Sequence, residues 1–595
     1  MKLLNISTNG FNNLLSRGLA TSLLVISTVG GNSSFAQGFG SVTPGGVQPQ
    51  LQRPSFPPET EQPNITLPPV SERPLDVDEG PVVMVKQFQF STFENHPQDI
   101  NRTEFLKLLE QQRLDHSEGF TIGQLQQVAN LVTQRYREQG YILAKAYIPE
   151  QDVNDGVVNI SVLVGRLGKV TAANNALYNE QLLVESIDYS SGQTLKLADM
   201  ETALLRVNDL PGITVGGIFR PGSNIGEADL ILNAEQEQRF DGSIMADNYG
   251  VETTGRERLI ANLNWNNVSG NGDRLSATLL QTFDPEDSLY GSLAYELPLF
   301  TPAFSVGLSY SNNDYTIGQQ AAALFDLEGE TEQTNLYGRY SLDRSRTFNR
   351  YLKASLSTKQ ASVKSAGIDI GEDKLTVIAL EAGFDSIDSK AGGGINRGVV
   401  TISTGLDDVL GSMDSNGDGN PLRFDRNGNP IGGDFNKAAA SYSRLQSLGN
   451  NHSLLIRIAG QVSNDPLSSL EQYAMGGPNS VRAYPVSEYV RDTAFFTSLE
   501  WIINAPGFAN QPAFAGRNWG EVLQVSLFAD YAEGELNKAP QAFKEDIDIS
   551  GAGISLNFRL PDVFYIRLDV ATPLGSRDAS NGDDPQYWLT TGFEF

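Results

Sequence analysis

Few side chains in this sequence could do chemistry. None of the 595 residues is cysteine and three are histidine, His96, His116 and His452, set in unrelated contexts. A thiolate nucleophile, a disulfide and a cysteine-held metal are excluded, and the scatter of the three histidines speaks against a zinc enzyme or a His-based triad and for surface positions. No Gly-rich phosphate loop, nucleophile elbow or metal-binding helix motif occurs, which argues against an ATP-driven pump and against an enzyme. A net charge of −28 speaks against nucleic acid as a partner, because its binding rests on cationic contacts to phosphate.

Two short stretches remain. In "GGPNSVRAYP" (476–485) Arg482 lies close to Tyr484 and Pro485, between stretches that alternate like strands. Arginine's planar fork grips a carboxylate with two hydrogen bonds and does not lose its charge. In "DSNGDGNPLRFD" (414–425), Asp414, Asn416, Asp418 and Gly419 match the start of a D-x-[DN]-x-[DN]-G calcium loop, with Asp425 at the twelfth position. Glutamate is usual there, and "DRNGNP" just after it equally fits an external loop rich in Asx turns. Calcium is the one cofactor the sequence leaves open.

The elements around these stretches fall into five segments. Residues 1–36 read as a signal peptide: Lys2 and Arg17 supply charge, "LATSLLVISTVG" a short apolar core, and "SFAQ" a cleavage site after Ala36. No later apolar run approaches a spanning helix. Residues 37–81 are rich in Pro, Gln and Gly and read as a linker or plug segment, since prolines favour extended chain and block helix or sheet continuation. From 82 to 166 the order is strand, helix, helix, strand, strand. The helix from Thr121 has a capping box with Gln124, an apolar face at Ile122, Leu125, Ala129, Val132 and Tyr136, and a stop at Gly140. Residues 167–238 repeat the plan, with a helix over "LADMETALLRVND" (197–209) ended by Pro211 and Gly212.

From 239 to 595 strands alternate between Gly, Asn and Asp turns. "VLQVSLFADY" (522–531) sets Leu523, Val525, Leu527, Ala529 and Tyr531 on one face, against Gln524, Ser526, Phe528 and Asp530. "FYIRLDV" (564–570) puts Tyr565, Arg567 and Asp569 on its polar side. In the terminal "YWLTTGFEF", Tyr587, Leu589, Thr591, Phe593 and Phe595 point one way. Arg and Asp in mid-strand, opposite an apolar face, suit a membrane barrel with a wet lumen. A soluble sandwich would bury the apolar face against a second sheet instead.

The tandem units, with "LLRVNDLPGITV" (204–215) in the second, resemble POTRA domains. "DNYGVETTGRER" (247–258) followed by "NWNNVSGNGDRL" (264–275), just after them, resembles the outer-membrane transporters of two-partner secretion systems, the haemolysin/haemagglutinin secretion-activation family. The resemblance spans 82–595. It implies two α+β POTRA domains in the periplasm, then a transmembrane antiparallel barrel of about sixteen strands in the outer membrane of a Gram-negative-type cell. Spread over 239–595, sixteen strands allow roughly 22 residues for each strand and its connection, enough for ~9–11 residues of strand.

The partners implied are a large secreted exoprotein, outer-membrane lipid and the barrel-assembly machinery. By the same resemblance, Gly476, Gly477, Val481, Arg482 and Tyr484 stand in a loop that folds into the lumen, and Phe528 with Asp530 matches a Phe-x-Asp strand motif. Arg482 is implied to pair with Asp530, and the strand register independently puts Asp530 on the lumen side. Tyr587, Phe593 and Phe595 form the C-terminal assembly signal. Ala483 replaces the family's usual Gly, which makes an altered turn at the loop tip an expectation. An insertase of the same superfamily usually carries more POTRA units, and a passive porin has no use for a client-binding arm.

Overall fold

The computed structural model describes residues 65–66, 80–94, 100–153, 155–187, 192, 194–283, 288–318, 326–414, 421–449, 451–539, 546–561 and 563–595. The expected signal peptide lies outside these residues, as do His96, Asn416 and Asp418. The described chain divides into two compact units, one over 65–239 with 269–272 and one over the rest of 240–595.

The first unit contains β1 (Ile65–Thr66), β2 (Gln87–Thr92), α1 (Arg102–Asp115), α2 (Ile122–Glu138), β3 (Lys145–Tyr147), β4 (Val157–Leu163), β5 (Arg166–Ala173), α3 (Glu180–Glu185), α4 (Leu197–Asn208), β6 (Ile213–Pro221) and β7 (Glu227–Glu237). It holds two sheets. In β2-β4-β3 the first pair is parallel and the second antiparallel. The Thr121–Gln124 capping box opens α2, and Gly140, at φ +91°, follows its end. Leu125, Val128, Ala129, Val132 and Tyr136 of α2 are buried in a core with Phe88, Phe105 and Ile160. Ile122 stays 52% exposed, because at 100° per residue it sits about 60° from the centre of that stripe.

The second sheet, β1-β6-β7-β5, has its own apolar core around Leu167, Leu204, Leu230 and Leu232. The Pro-rich segment was expected to carry no sheet, yet Ile65 and Thr66 pair in parallel with Gly217 and Ile218 of β6. Both are β-branched and sit on an edge strand, the one place in a sheet where nearby prolines are tolerated.

The second unit is a closed barrel. Its strands are β8 (Phe240–Asp247), β9 (Glu257–Asn266), β10 (Arg274–Phe283), β11 (Leu289–Pro298), β12 (Phe304–Ile317), β13 (Leu327–Arg344), β14 (Phe348–Ser365), β15 (Ile368–Asp388), β16 (Gly394–Leu406), β17 (Phe435–Gly449), β18 (His452–Ser463), β21 (Thr493–Asn504), β22 (Leu523–Glu535), β23 (Asp546–Leu560), β24 (Phe564–Pro573) and β25 (Gln586–Glu594). A hairpin of β19 (Tyr473–Met475) and β20 (Tyr489–Arg491) lies in the connection 464–492, and a short α5 (Trp519–Val522) precedes β22.

Consecutive wall strands pair antiparallel, and β25 closes on β8 over Glu594↔Ser243 to Thr590↔Asp247. The backbone of Phe595 adds two more bonds, to Gly242, at 2.9 and 3.0 Å. The sandwich alternative is excluded by this closure and by the outer face. Leu279, Leu308, Leu336, Leu380 and Ile402 point outward at 48–63% exposure, as a lipid-facing wall requires. Among the described residues no helix is long and apolar enough to cross a membrane.

Candidate functional site

The interior of the barrel is filled by the hairpin in 464–492. Gly476 and Gly477 have φ of +100° and +89°. A Cβ on Gly476 would strike the Pro485 carbonyl, and one on Gly477 would lie 3.0 Å from Val486 Cα. These two positions turn the chain, and Gly477 N–H closes the turn on the Tyr484 carbonyl at 2.9 Å. Val481, Ala483 and Tyr484 then pack against Phe496, Phe528, Ile549 and Ala571, and the Tyr484 hydroxyl donates to the Arg577 carbonyl.

Arg482 sits at the tip of this turn and is fully buried. Its Nε and Nη2 donate to the two oxygens of Asp530, each at 2.8 Å, and its backbone N–H adds a third bond at 3.2 Å. Nη1 donates to Glu500 at 2.9 Å and lies 3.9 Å from Asp569, while Nη2 also reaches Ser498 at 3.3 Å. The Phe528 ring lies under the guanidinium, its centroid 3.2 Å from Cζ. Phe528 and Asp530 therefore flank one group, which is why the motif needs both on the lumen face.

Arg567 completes the network, bridging Glu500 at 3.2 Å and Asp569 at 3.0 Å, and Ser555 donates to Asp569. Three carboxylates thus face two guanidiniums, and Arg457 joins through Ser498 at 3.2 Å to balance the count. Burial alone would push the Arg482 guanidinium down, but Asp530, then Glu500 and Asp569, more than offset it and hold it above its ordinary value. A wet lumen was expected here; at this level the hairpin packs over the charged groups and buries them.

Ala483 does not distort the tip. It keeps a negative φ, and room for its methyl comes from Gly551 on β23, where any Cβ would overlap it. The glycine expected at 483 is in effect replaced by one across the contact.

The hairpin is also held at its base. Asp492, 0% exposed, accepts from both Nη atoms of Arg423 at 2.6 and 2.9 Å and from the backbone N–H groups of Leu467 and Asn537. Glu471 is gripped by Lys359 at 2.7 Å and Lys437 at 2.6 Å; burial pushes its carboxyl up, but the two ammoniums outweigh that and hold it down to about 2.

Of the proposed calcium ligands, Asp414 and Asp425 are described. Asp425 accepts from the backbone N–H groups of Asn427 and Asn429, each at 2.8 Å, and from the Asn429 amide at 3.0 Å, which is an Asx turn. Among the described residues no group of three or more His, Cys, Asp or Glu could hold a metal. Tyr587, Phe593 and Phe595 point outward at 52%, 56% and 61% exposure.

Sequence reasoning did not bring Glu500, Asp569, Arg567 and Trp588 to this site. Each carried a signal: a charge in mid-strand opposite an apolar face, or, for Trp588, a large ring on the otherwise small or polar face of the last strand. The signal names the lumen side; it does not say which side chains meet.

The family profile of haemolysin secretion/activation proteins (ShlB/FhaC/HecB) matches residues 226–556, and that of the ShlB-type POTRA domain matches 98–165. The heme/hemopexin transporter protein HuxB of Haemophilus influenzae is 24% identical over 476 residues, 79% of this chain and 80% of that protein. The hemolysin transporter protein HpmB of Proteus mirabilis is 24% identical over 412 residues, 67% of this chain and 69% of its own. The solved structure of CdiB from Escherichia coli covers all of both chains with a TM-score of 0.63 at 19% identity, a likeness of fold.

Proposed function

Because the chain belongs to the haemolysin secretion/activation family of outer-membrane transporters, we propose that a partner protein leaves the cell through its barrel past the hairpin 464–492, which is seated at rest. Two-partner secretion places the barrel in the outer membrane, the POTRA arm in the periplasm and a large exoprotein in the role of client. The observation that carries the proposal is the burial of Arg482 on Asp530 and Glu500, at the tip of a loop that fills the lumen. A client has no room to thread until that tip moves.

The client we infer is of the haemolysin or haemagglutinin kind, in line with the hemolysin transporter among the relatives. The arm receives it as an extended strand added along β6, on the side where β1 covers only Gly217 and Ile218. The parallel addition of Ile65–Thr66 to β6 supports this reading, because that edge accepts a strand. Export by residues 1–36, lipid around the outward leucines and recognition of the Phe595 end by the assembly machinery belong to the same proposal.

The test is a photo-crosslinking residue at Thr214, exposed on β6, in the full chain during secretion. Crosslinks to the N-terminal region of the client are expected. Crosslinks only at other surfaces of the arm would overturn the strand-addition reading.

A further inference from the structure

The tip of the hairpin has a second attachment, to the strand that closes the barrel. Trp588 of β25 is 1% exposed and is the largest fully buried side chain among the described residues. Its indole N–H donates to the Arg482 backbone carbonyl at 2.7 Å. The ring stands edge-on to Tyr249, with centroids 6.0 Å apart, and the Arg256 guanidinium lies 5.7 Å from its centroid. Val486 of the hairpin belongs to the same buried cluster.

The two attachments act on different parts of one residue. The Arg482 side chain is held by β21, β22 and β24, whereas its carbonyl is held by β25. The carbonyl belongs to the peptide that leads into Ala483, so its hydrogen bond orients the link that brings the Ala483 methyl over Gly551. The Arg482 N–H on Asp530 and the Tyr484 N–H on the Val481 carbonyl, at 3.2 Å each, hold the two sides of that peptide, and the Trp588 bond is the one that fixes which way its carbonyl points.

Trp588 is itself fixed from behind by Asn248. The Asn248 amide donates to the Tyr587 carbonyl at 2.8 Å and accepts from the Leu589 N–H at 2.8 Å, clasping the residues on both sides of Trp588. This clasp continues the β8–β25 seam by one further step where the regular pairing stops at Asp247↔Thr590. The closing strand thus presents a donor that is rigid in position and direction, 106 residues away in sequence from the acceptor.

We propose that Trp588 is a positioning residue for the loop tip. Its N–H seats the Arg482 peptide against the closing strand, and without it the ion pairs no longer keep the tip seated. This rests on the reading of the hairpin as the element that must be correctly seated for secretion.

The test reads tip position and secretion separately. The chain has no cysteine, so Ser480→Cys, at a position 4% exposed beside the tip, is a single reporter for a membrane-impermeant maleimide on whole cells. Trp588→Phe keeps a ring and removes the donor. In the Ser480→Cys background, Trp588→Phe should assemble as a folded barrel and label at least tenfold faster. Equal labelling rates with a folded barrel would overturn the proposal.

If the tip is displaced and secretion stays normal, Trp588 positions the tip and the seated-loop reading fails instead. Should Trp588→Phe not assemble, Trp588 can report as the sole tryptophan after Trp265→Phe, Trp501→Phe and Trp519→Phe. Displacing the tip with Arg482→Ala should then red-shift its emission and raise acrylamide quenching severalfold. Unchanged emission in a chain whose Ser480→Cys thiol has become reactive would overturn the proposal.

Discussion

The arm buries Phe88, Leu109, Tyr136 and Ile160 in one core and Leu167, Leu204 and Leu230 in the next. The barrel does the reverse: it buries Arg482, Asp530, Glu500 and Asp569 at the centre of its interior and turns its leucines outward. Apolar packing fails by degrees, because each lost methylene costs a similar increment. A buried ion network does not. Removing one member leaves another charge in a buried site with its neutralising partner gone, so the loss is large and is shared by every partner. The arm's interior is therefore built to lose stability gradually, and the barrel's interior to lose it at one step.

Four perturbations test that contrast. The largest effect is expected at the seam, where the outward apolar wall and the last strand meet. Phe595→Asp places a charge on a lipid-facing position beside the bonds to Gly242, and folded barrel in the outer membrane should fall severalfold. Heat-modifiable migration on a gel measures this, and parental levels would show that the terminal aromatic is dispensable. Next comes the arm: Leu204→Ala, at a fully buried position, should cost ~2–5 kcal/mol of arm stability. Calorimetry should show the loss in the arm transition while the barrel transition stays put; a shift of both would mean that the two interiors are not independent.

A smaller effect separates two glutamates on the same connection. Glu471 has two lysine partners, whereas Glu488 is 1% exposed and accepts from Ser580, through N–H at 3.1 Å and Oγ at 2.6 Å. Burial pushes the Glu488 carboxyl up to about 7, with Ser580 pulling it down and Glu252 adding to the rise. The seated form thus holds a proton that the free form releases near 4.5. Its contribution is fully present below that pH and is lost as pH rises through about 7. Protease cleavage within 574–585 should accelerate between about pH 5 and pH 8, a window that brackets that loss, and Glu488→Gln should flatten the profile. An identical slope in the variant would place the pH dependence elsewhere. The smallest effect is at Asp425. Asp425→Ala should loosen the 425–429 turn by about 1 kcal/mol, and millimolar calcium should leave the parent's calorimetric trace unchanged. A calcium-dependent heat lost in both Asp414→Ala and Asp425→Ala would establish the calcium loop.

Much of this was legible before any fold was known, for a reason visible in Asp530. A period-two strand assigns each residue a face, so Asp530 and Phe528 could be placed on the lumen side from "VLQVSLFADY" alone. The same rule sees one strand at a time. It placed Asp569 and Arg567 on the lumen side of theirs, but Glu500, Asp530 and Asp569 meet because three strands bring them to one height. Register between strands, set by turns and closure, is not written in any one of them.

Strand length was hidden for a related reason. A span needs ~9–11 residues, yet β13 and β14 have 18 and β15 has 21. Polar runs such as "EGETEQT" at the start of β13 alternate too weakly to be told from a connection. Ala483 shows the remaining limit: its tolerance depends on Gly551, far away in sequence and adjacent only in the fold.

The Arg482–Asp530 pair is the contact at the tip on which the proposed role of the hairpin in secretion rests. That role is tested most directly by secretion from Arg482→Ala, Asp530→Ala and the double variant, with barrel assembly checked in each. Breaking a fully buried pair costs ~3–5 kcal/mol, so each single variant should assemble yet lose most secretion. Secretion by the double variant should resemble that of either single one, because both changes remove the same contact. Normal secretion by both single variants, with the barrel intact, would contradict the account.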